Sequence, residues 1–309
     1  MPNETTSKSD TSTYPILYFH HAGLTDTGML RDHNEDDYRL PMDAGDTSLA
    51  EKGHLYVLAD GMGGHQKGEV ASAVTVDAVP LEYYTRVVDL NGDNLEDVIV
   101  NALSDAIAKA NMQVMEATQG GGTTIVSAVL HQDLLVMMNV GDSRAYLLRD
   151  GELRLMSRDH SLVSRLVEMG KITDEEALTH PRRNVLYQAL GQGTDLEIHT
   201  VVERLQLNDK IILCSDGLWG EISHESFKDV LLTADSPDMA VKQLVDMANE
   251  AGGPDNITVI IIHTSDEEPR PDALADTLPL DVPSIEDTQP SAIIQKPDTL
   301  PEGKFYTDK

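Results

Sequence analysis

The chain has one cysteine, Cys214, among 309 residues. A lone thiol cannot close an internal disulfide, and it suits a reducing compartment. Basic residues are scarce too: 23 Lys and Arg stand against 53 Asp and Glu, a formal net charge of -30. Nucleic-acid binders and anionic-membrane binders need clustered positive charge against phosphate, so this balance excludes both classes. No apolar run approaches the roughly 20 residues of a membrane span. The opening Met1-Pro2-Asn3-Glu4-Thr5-Thr6-Ser7-Lys8 has no apolar core of the kind a signal peptide carries. The expectation is a soluble, acidic, cytoplasmic protein; a salty host environment is a second source of such acidity. What the chain does have is apolar substance: 40% of its residues are hydrophobic, enough for a core that needs no disulfide staples.

Character changes along the chain divide it into three. Residues 1–17 are polar and rich in Ser and Thr, and read as a disordered leader. Residues 18–264 have the periodicity of a globular domain. Residues 265–309 hold seven of the 14 prolines and 11 acidic against 4 basic residues, a composition that cannot bury a core. Within this expected acidic, Pro-rich tail, Asp276-Thr277-Leu278-Pro279, Asp287-Thr288-Gln289-Pro290 and Asp298-Thr299-Leu300-Pro301 repeat one Asp-Thr-x-Pro pattern, with threonines 11 residues apart.

Inside the domain, strands and helices alternate. His54 to Ala59 is an apolar run that ends at Asp60-Gly61, a strand feeding a turn. Residues 68–86 and 94–117 carry apolar side chains at helical spacing. Strands are expected at Thr123–Leu130, Leu134–Val140, Arg144–Arg149, Ile198–Val202, Lys210–Cys214 and Ile257–Ile262. Asp150-Gly151 marks a tight hairpin because it supplies positive φ cheaply. Leu162 to Gly170 reads as a helix closed by its glycine. Residues 223–233 and 237–250 read as helices capped by Ser223 and Ser236. At least eight strands with hairpin-like neighbours favour α+β layers over a doubly wound parallel sheet.

Acidic residues recur where strands end: Asp60-Gly61, Asp142-Ser143 and Asp216-Gly217. Asp255-Asn256 precedes the last strand, and Asn34-Glu35-Asp36 lies near the start. Strand ends at one sheet edge can meet in space, and carboxylates gathered there repel unless a cation offsets them. Hard divalent ions take oxygen ligands of this kind. An Asp-Gly pair can also be a simple turn, but five sites with the same grammar point to a shared role. Other chemistries are poorly matched. Gly220, not Arg, follows Cys214 at six residues, so the cysteine phosphatase loop is absent. Gly61 to Gly68 lacks the Gly-Lys-Ser/Thr ending of a P-loop. No histidine pair has zinc-protease spacing.

Taken together, the segments resemble the metal-dependent Ser/Thr protein phosphatases of the type 2C (PPM) family in their bacterial form. The resemblance rests on Gly28-Met29-Leu30-Arg31-Asp32-His33-Asn34-Glu35-Asp36, Leu58-Ala59-Asp60-Gly61-Met62-Gly63-Gly64-His65 and Gly121-Gly122-Thr123-Thr124. It continues through Asn139-Val140-Gly141-Asp142-Ser143-Arg144, Asp159-His160-Ser161, Ala189-Leu190-Gly191, Cys214-Ser215-Asp216-Gly217-Leu218-Trp219 and Asp255-Asn256-Ile257-Thr258. Eight motifs in order over roughly residues 20–263 are specific where a single Gly-Asp-Ser is weak. The resemblance implies a four-layer αββα sandwich, two antiparallel β-sheets flanked by helices, with a site at one end.

It also implies the site's occupants. Two Mn or Mg ions would share Asp60. Gly61 would offer its carbonyl and Glu35 would reach the second ion through water. Asp36 would hold waters of the first ion, and Asp216 and Asp255 would complete its shell. Asp142, with Asp216, matches the residues that hold a weaker third ion in bacterial relatives. Arg31 would clamp phosphate, since its planar fork can hold two oxygens. Where eukaryotic members carry a histidine after Asp-Gly, this chain has Met62. His65 is then the nearest candidate proton donor, with water on the ions as the other source.

The implied activity is hydrolysis of phosphoserine and phosphothreonine on proteins, opposing a bacterial Hanks-type Ser/Thr kinase. Residues 158–187 match the family's flap, and His180-Pro181-Arg182-Arg183-Asn184 is a basic patch within it that suits phosphopeptides as well as plain solvation. Two alternatives stand beside this reading. One is a phosphatase of an anti-sigma-factor antagonist, against which Arg31 and the flap count. The other is a catalytically silent phosphoprotein-binding regulator, against which the full carboxylate set counts. The tail threonines are candidates for phosphorylation and for docking a forkhead-associated domain, or for no partner at all. A monomer is the expected state.

Overall fold

A computed structural model of the chain describes residues 16–41, 51–63, 66–87, 90 and 94–268. Eleven strands are present among them: β1 (Tyr18–Asp26), β2 (Asp36–Arg39), β3 (His54–Met62), β4 (Gly122–Thr123), β5 (Ile125–His131), β6 (Leu134–Val140), β7 (Arg144–Arg149), β8 (Glu152–Leu155), β9 (His199–Arg204), β10 (Lys210–Cys214) and β11 (Ile257–Ser265). The helices are α1 (Gln66–Arg86), α2 (Leu95–Thr118), α3 (Leu162–Glu168), α4 (Asp174–Leu178), α5 (Asp216–Trp219), α6 (His224–Thr233) and α7 (Pro237–Glu250). One sheet runs β1-β11-β10-β7-β8 and the other β2-β3-β5-β6-β9, with β4 paired to β3. Every pairing in both sheets is antiparallel.

Strand alternation explains the layering. In β3, Tyr56 and Leu58 point into a core shared by the two sheets, while Leu55, Val57 and Ala59 point into a second core under α1 and α2. In β10, Ile211 and Leu213 enter the shared core, whereas Ile212 and Cys214 face α5, α6 and α7. Strand β11 divides the same way, with Ile260 and Ile262 inward and Ile257, Val259 and Ile261 toward the helices. Three stacked cores require four layers, as expected. Burial on both faces is also why these strands read as unbroken apolar runs although they are antiparallel. Truncating one such side chain to Ala typically costs about 2–5 kcal/mol.

Local signals behave as their chemistry predicts. Asp150 and Gly151 take φ of 52° and 76° in the β7–β8 hairpin. Ser223 and Ser236 cap α6 and α7 by accepting from the Ser226 and Met239 amides. The Leu162 helix is shorter than its expected span: it closes at Glu168, with Gly170 beyond it at φ 63°. Two readings need correction. Strand β3 does not stop at Asp60 but runs on to Met62, because Gly61 and Met62 pair with Thr123 and Gly122. Asp216-Gly217 is not a turn but the start of the one-turn helix α5. The leader up to residue 15 and the tail from residue 269 lie outside the described residues. Among the described residues no helix is long and apolar enough to cross a membrane.

Candidate active site

The acidic strand ends meet at one end of the sandwich. The β2–β3 ladder places Asp36 directly opposite Asp60. Asp216, at the head of α5 after β10, is hydrogen-bonded to Asp60 and feels the charge of Asp255. Asp142, just past β6, interacts electrostatically with both Asp60 and Asp216. Carboxylates from both sheets therefore share one region. Among the described residues no three His, Cys, Asp or Glu side chains already form a metal-ligating group.

Burial and mutual repulsion make the ionised forms costly here. Burial, then the charges of Asp36, Asp216, Asp142 and Asp255, push Asp60 well above the usual carboxylate range. Asp142 is pushed up to about 8, by burial first and Asp216 next. Asp36 rises to about 7 through burial, although hydrogen bonds from Thr258 and Ser215 oppose the rise. Asp216 rises to about 6, by burial and then Asp255. Burial also raises Glu35, against the opposing pull of Arg31. Its Oε1 atom is buried with no hydrogen-bond partner among the described residues.

These features fit divalent cations of the hard, oxygen-seeking kind. The donors are all oxygens, one of them is an orphaned buried acceptor, and positive charge is what the cluster lacks. Backbone can approach as well. A Cβ on Gly61 would lie 2.3 Å from the Gly68 carbonyl oxygen and 2.5 Å from that of Glu35. A Cβ on Gly68 would lie 2.8 Å from Glu35 Oε1. Only glycine lets these three segments close on one another. Asp36, Asp60, Asp142, Asp216, Asp255, Glu35 and the Gly61 carbonyl are the groups that could hold such ions.

Arg31 stands at the rim. Its guanidinium donates to Asp255 Oδ2 at 2.6 Å, with the Arg side chain 46% exposed. Its loop is pinned, since the Met29 and Leu30 amides both donate to the Gly253 carbonyl. Arg31 thus presents its fork to solvent from a fixed backbone. His65 lies outside the described residues. Within residues 158–187, the segment expected as a flap, the basic patch is exposed at Arg182 and Arg183, and the Arg158 guanidinium forms a two-pronged pair with Glu168.

Several supporting residues carry no role in the sequence reading. The Asn256 amide donates to the Thr27 and His33 carbonyls and its Oδ1 accepts from the Glu35 N–H at 2.8 Å, stitching the Arg31 loop to the start of β11. Thr258 Oγ1 donates to Asp36 Oδ2 at 2.7 Å. Thr124 Oγ1 accepts from the Asp60 N–H and pairs with the Ser143 hydroxyl. The Trp219 indole donates to the Asp142 carbonyl. Their only signal in the sequence is adjacency to the acidic residues. Cys214 is buried in β10, where burial pushes its thiol up and away from reactivity.

Comparison with known proteins agrees with the fold. The family model described as Protein phosphatase 2C matches residues 33–251. The chain is 35% identical over 244 residues to the serine/threonine phosphatase of Listeria welshimeri, covering 77% of this chain and 93% of that protein. It is similar to the crystal structure of the Mycobacterium tuberculosis serine/threonine phosphatase PstP, with a TM-score of 0.67 at 33% identity, over 81% of this chain and 99% of that one. A structure of the PstP catalytic domain in complex with two manganese ions gives 0.65 at 32% identity, over the same shares.

Proposed function

Since the chain belongs to the protein phosphatase 2C family, we propose that it hydrolyses phosphoserine and phosphothreonine esters on proteins with two divalent ions, Mn or Mg, held at the strand-end cluster. One observation carries the reading: Asp36, Asp60, Asp142 and Asp216 arrive from both sheets, and burial and mutual repulsion leave the cluster short of positive charge. Bound there, two ions would supply Lewis acidity toward the phosphoryl oxygens and acidify water.

The chain's own residues do the rest. Asp60 would be the shared ligand, Asp216 and Asp255 would serve the first ion, and Asp36 would hold its waters. The Gly61 carbonyl, and Glu35 through water, would serve the second. Asp142 with Asp216 is the candidate place of a third, weaker ion. Arg31 turns its exposed fork to the phosphate and orients it. His65 is the candidate proton donor to the departing Ser or Thr oxygen. No side chain needs to act as a nucleophile.

The cellular reading extends from there. The protein opposes a Ser/Thr kinase in the cytoplasm, acts as a monomer, and receives phosphoproteins between Arg31 and the flap. Thr277, Thr288 and Thr299 of the tail are candidate substrates of that kinase and, once phosphorylated, ligands for an Arg-lined pocket such as a forkhead-associated domain. The experiment is manganese-dependent hydrolysis of p-nitrophenyl phosphate and of a phosphothreonine peptide. Turnover of both, lost with EDTA, supports the reading. Peptide binding without turnover would replace it with a silent phosphoprotein-binding module.

A further inference from the structure

His160 is wholly buried and joins two segments. On one side its backbone N–H donates to the Gly141 carbonyl at 2.9 Å, and the Gly141 N–H donates back to its Nδ1 at 3.2 Å. On the other, its carbonyl accepts from the Tyr187 N–H at 2.9 Å, and the two rings pack with centroids 5.5 Å apart. Ser161 and Leu186 form a bridge beside it. His160 is therefore the point where both ends of the flap segment and the Gly141–Asp142 turn are fastened together.

Other bonds reach the turn, from the Trp219 indole to the Asp142 carbonyl and from the Asn139 amide to the Gly141 carbonyl at 3.4 Å, but the Gly141 N–H is held by the His160 ring. Gly141 sits at φ 108° with no side chain of its own, and a Cβ there would meet Thr124 at 2.6 Å. The neighbouring residue adds a second grip: Asp159 takes the Arg144 guanidinium in a two-pronged pair, and Arg144 lies over the Trp219 ring. Because Nδ1 accepts from Gly141, the neutral ring carries its proton on Nε2. Nε2 is buried with no hydrogen-bond partner among the described residues. A buried unpaired N–H is destabilising, and an apolar side chain would fill the space without it. The bond that Nδ1 makes to the turn is the gain that offsets this.

We propose that His160 is a positioning residue for phosphate hydrolysis, fixing the Gly141–Asp142 turn to the root of the flap so that one side chain sets the place of both. The inference rests on the reading of Asp142 given above. Its test is a series at one position in the full chain: Asn puts a carbonyl near the Nδ1 site, Gln reaches past it, and Leu has no acceptor. With Mn2+ and p-nitrophenyl phosphate, His160→Asn should stay close to wild type. His160→Gln and His160→Leu should lose about tenfold or more in kcat, the scale typical of groups that orient ligands. Amide exchange at Gly141 and across residues 161–187 should quicken in the Gln and Leu variants and not in Asn. Leu with wild-type kcat and exchange, or Asn as impaired as Gln, would overturn the proposal. If Leu does not fold, the Asn and Gln pair decides. A wild-type protein without turnover would overturn the functional reading instead, and exchange at Gly141 would still decide this one.

Discussion

Two groups of carboxylates in this molecule live by opposite rules. Around β8 and β9, Glu203 meets Arg154 and Arg149, and Asp209, only 1% exposed, meets Arg149 through two nitrogens. The hydrogen bond from Arg154 holds Glu203 below its ordinary value. At the strand-end cluster, Asp36 and Asp142 are also buried and Asp60 and Asp216 half-buried, yet their chief neighbours are one another, and loss of water carries all four upward. Each region holds a buried carboxylate, Asp209 in one and Asp36 and Asp142 in the other, so burial alone does not separate them. The partner does. Where an arginine is built in, the charge is structural; where none reaches the centre, the proposed function supplies the positive charge as a cation from outside.

The sharpest way to break this contrast is to remove a carboxylate from each region. Asp60→Asn should lower manganese-dependent turnover of p-nitrophenyl phosphate by more than about a hundredfold, beyond the range usual for groups outside the ligand set. In EDTA the same change should raise the melting temperature, because it relieves repulsion. Near wild-type turnover in Asp60→Asn would remove the two-ion assignment.

The next effect is on pH and stability. The folded carboxylates bind protons more tightly than the unfolded chain, whose Asp value is the ordinary 3.8. The stability they contribute is full below that value and is lost as pH rises through the folded values, from about 6 at Asp216 to about 8 at Asp142. Protein stripped with EDTA should therefore melt lower at pH 8 than at pH 6. Asp142→Asn should flatten that dependence, and Mn2+ should raise the melting temperature more at pH 8 than at pH 6. A stripped protein that grows more stable across this window would contradict the picture of the cluster.

A smaller change is expected at the rim. Arg31→Ala should raise KM for p-nitrophenyl phosphate by about tenfold with little change in kcat, because a charged hydrogen bond held alike in ground and transition states is lost. Steady-state kinetics at saturating Mn2+ would read the split, and a fall in kcat alone would count against the clamp. The smallest effect belongs to the other region. Glu203→Gln should leave turnover unchanged and shift stability by about 0–1 kcal/mol, as exposed ion pairs do. Thermal melts of that variant sharpen the contrast with Asp60.

The layering and the acidic centre were legible for the same reason. Asp60, Asp142 and Asp216 announce themselves because each follows an apolar run and Asp255 because it precedes one, and those runs are the strands of two covered sheets. Strand β1 was not legible as a strand. Its Tyr18-Phe19-His20-His21-Ala22-Gly23-Leu24-Thr25-Asp26 sequence does not alternate cleanly, and its order comes from pairing with β11, some 240 residues away. The same distance hides Asn256 and Thr258, whose bonds to Glu35 and Asp36 span 221 and 222 residues. The extension of β3 past Asp60 was hidden by Gly61, which reads as a turn and serves as a close approach. His160 lies within the Asp159-His160-Ser161 segment but carries no role in the sequence reading, because a buried histidine's partner is not visible in local pattern; its bond to Gly141 gives it one.

The central claim is that the strand-end carboxylates hold protons which divalent cations displace. Calorimetric titration of Mn2+ into EDTA-stripped protein at pH 6.5, repeated in two buffers of different ionisation enthalpy, measures this directly. The account predicts at least two saturable sites and a net release of protons on binding, abolished in Asp60→Asn. Saturable binding with the same heat in both buffers, or no saturable binding at all, would contradict it.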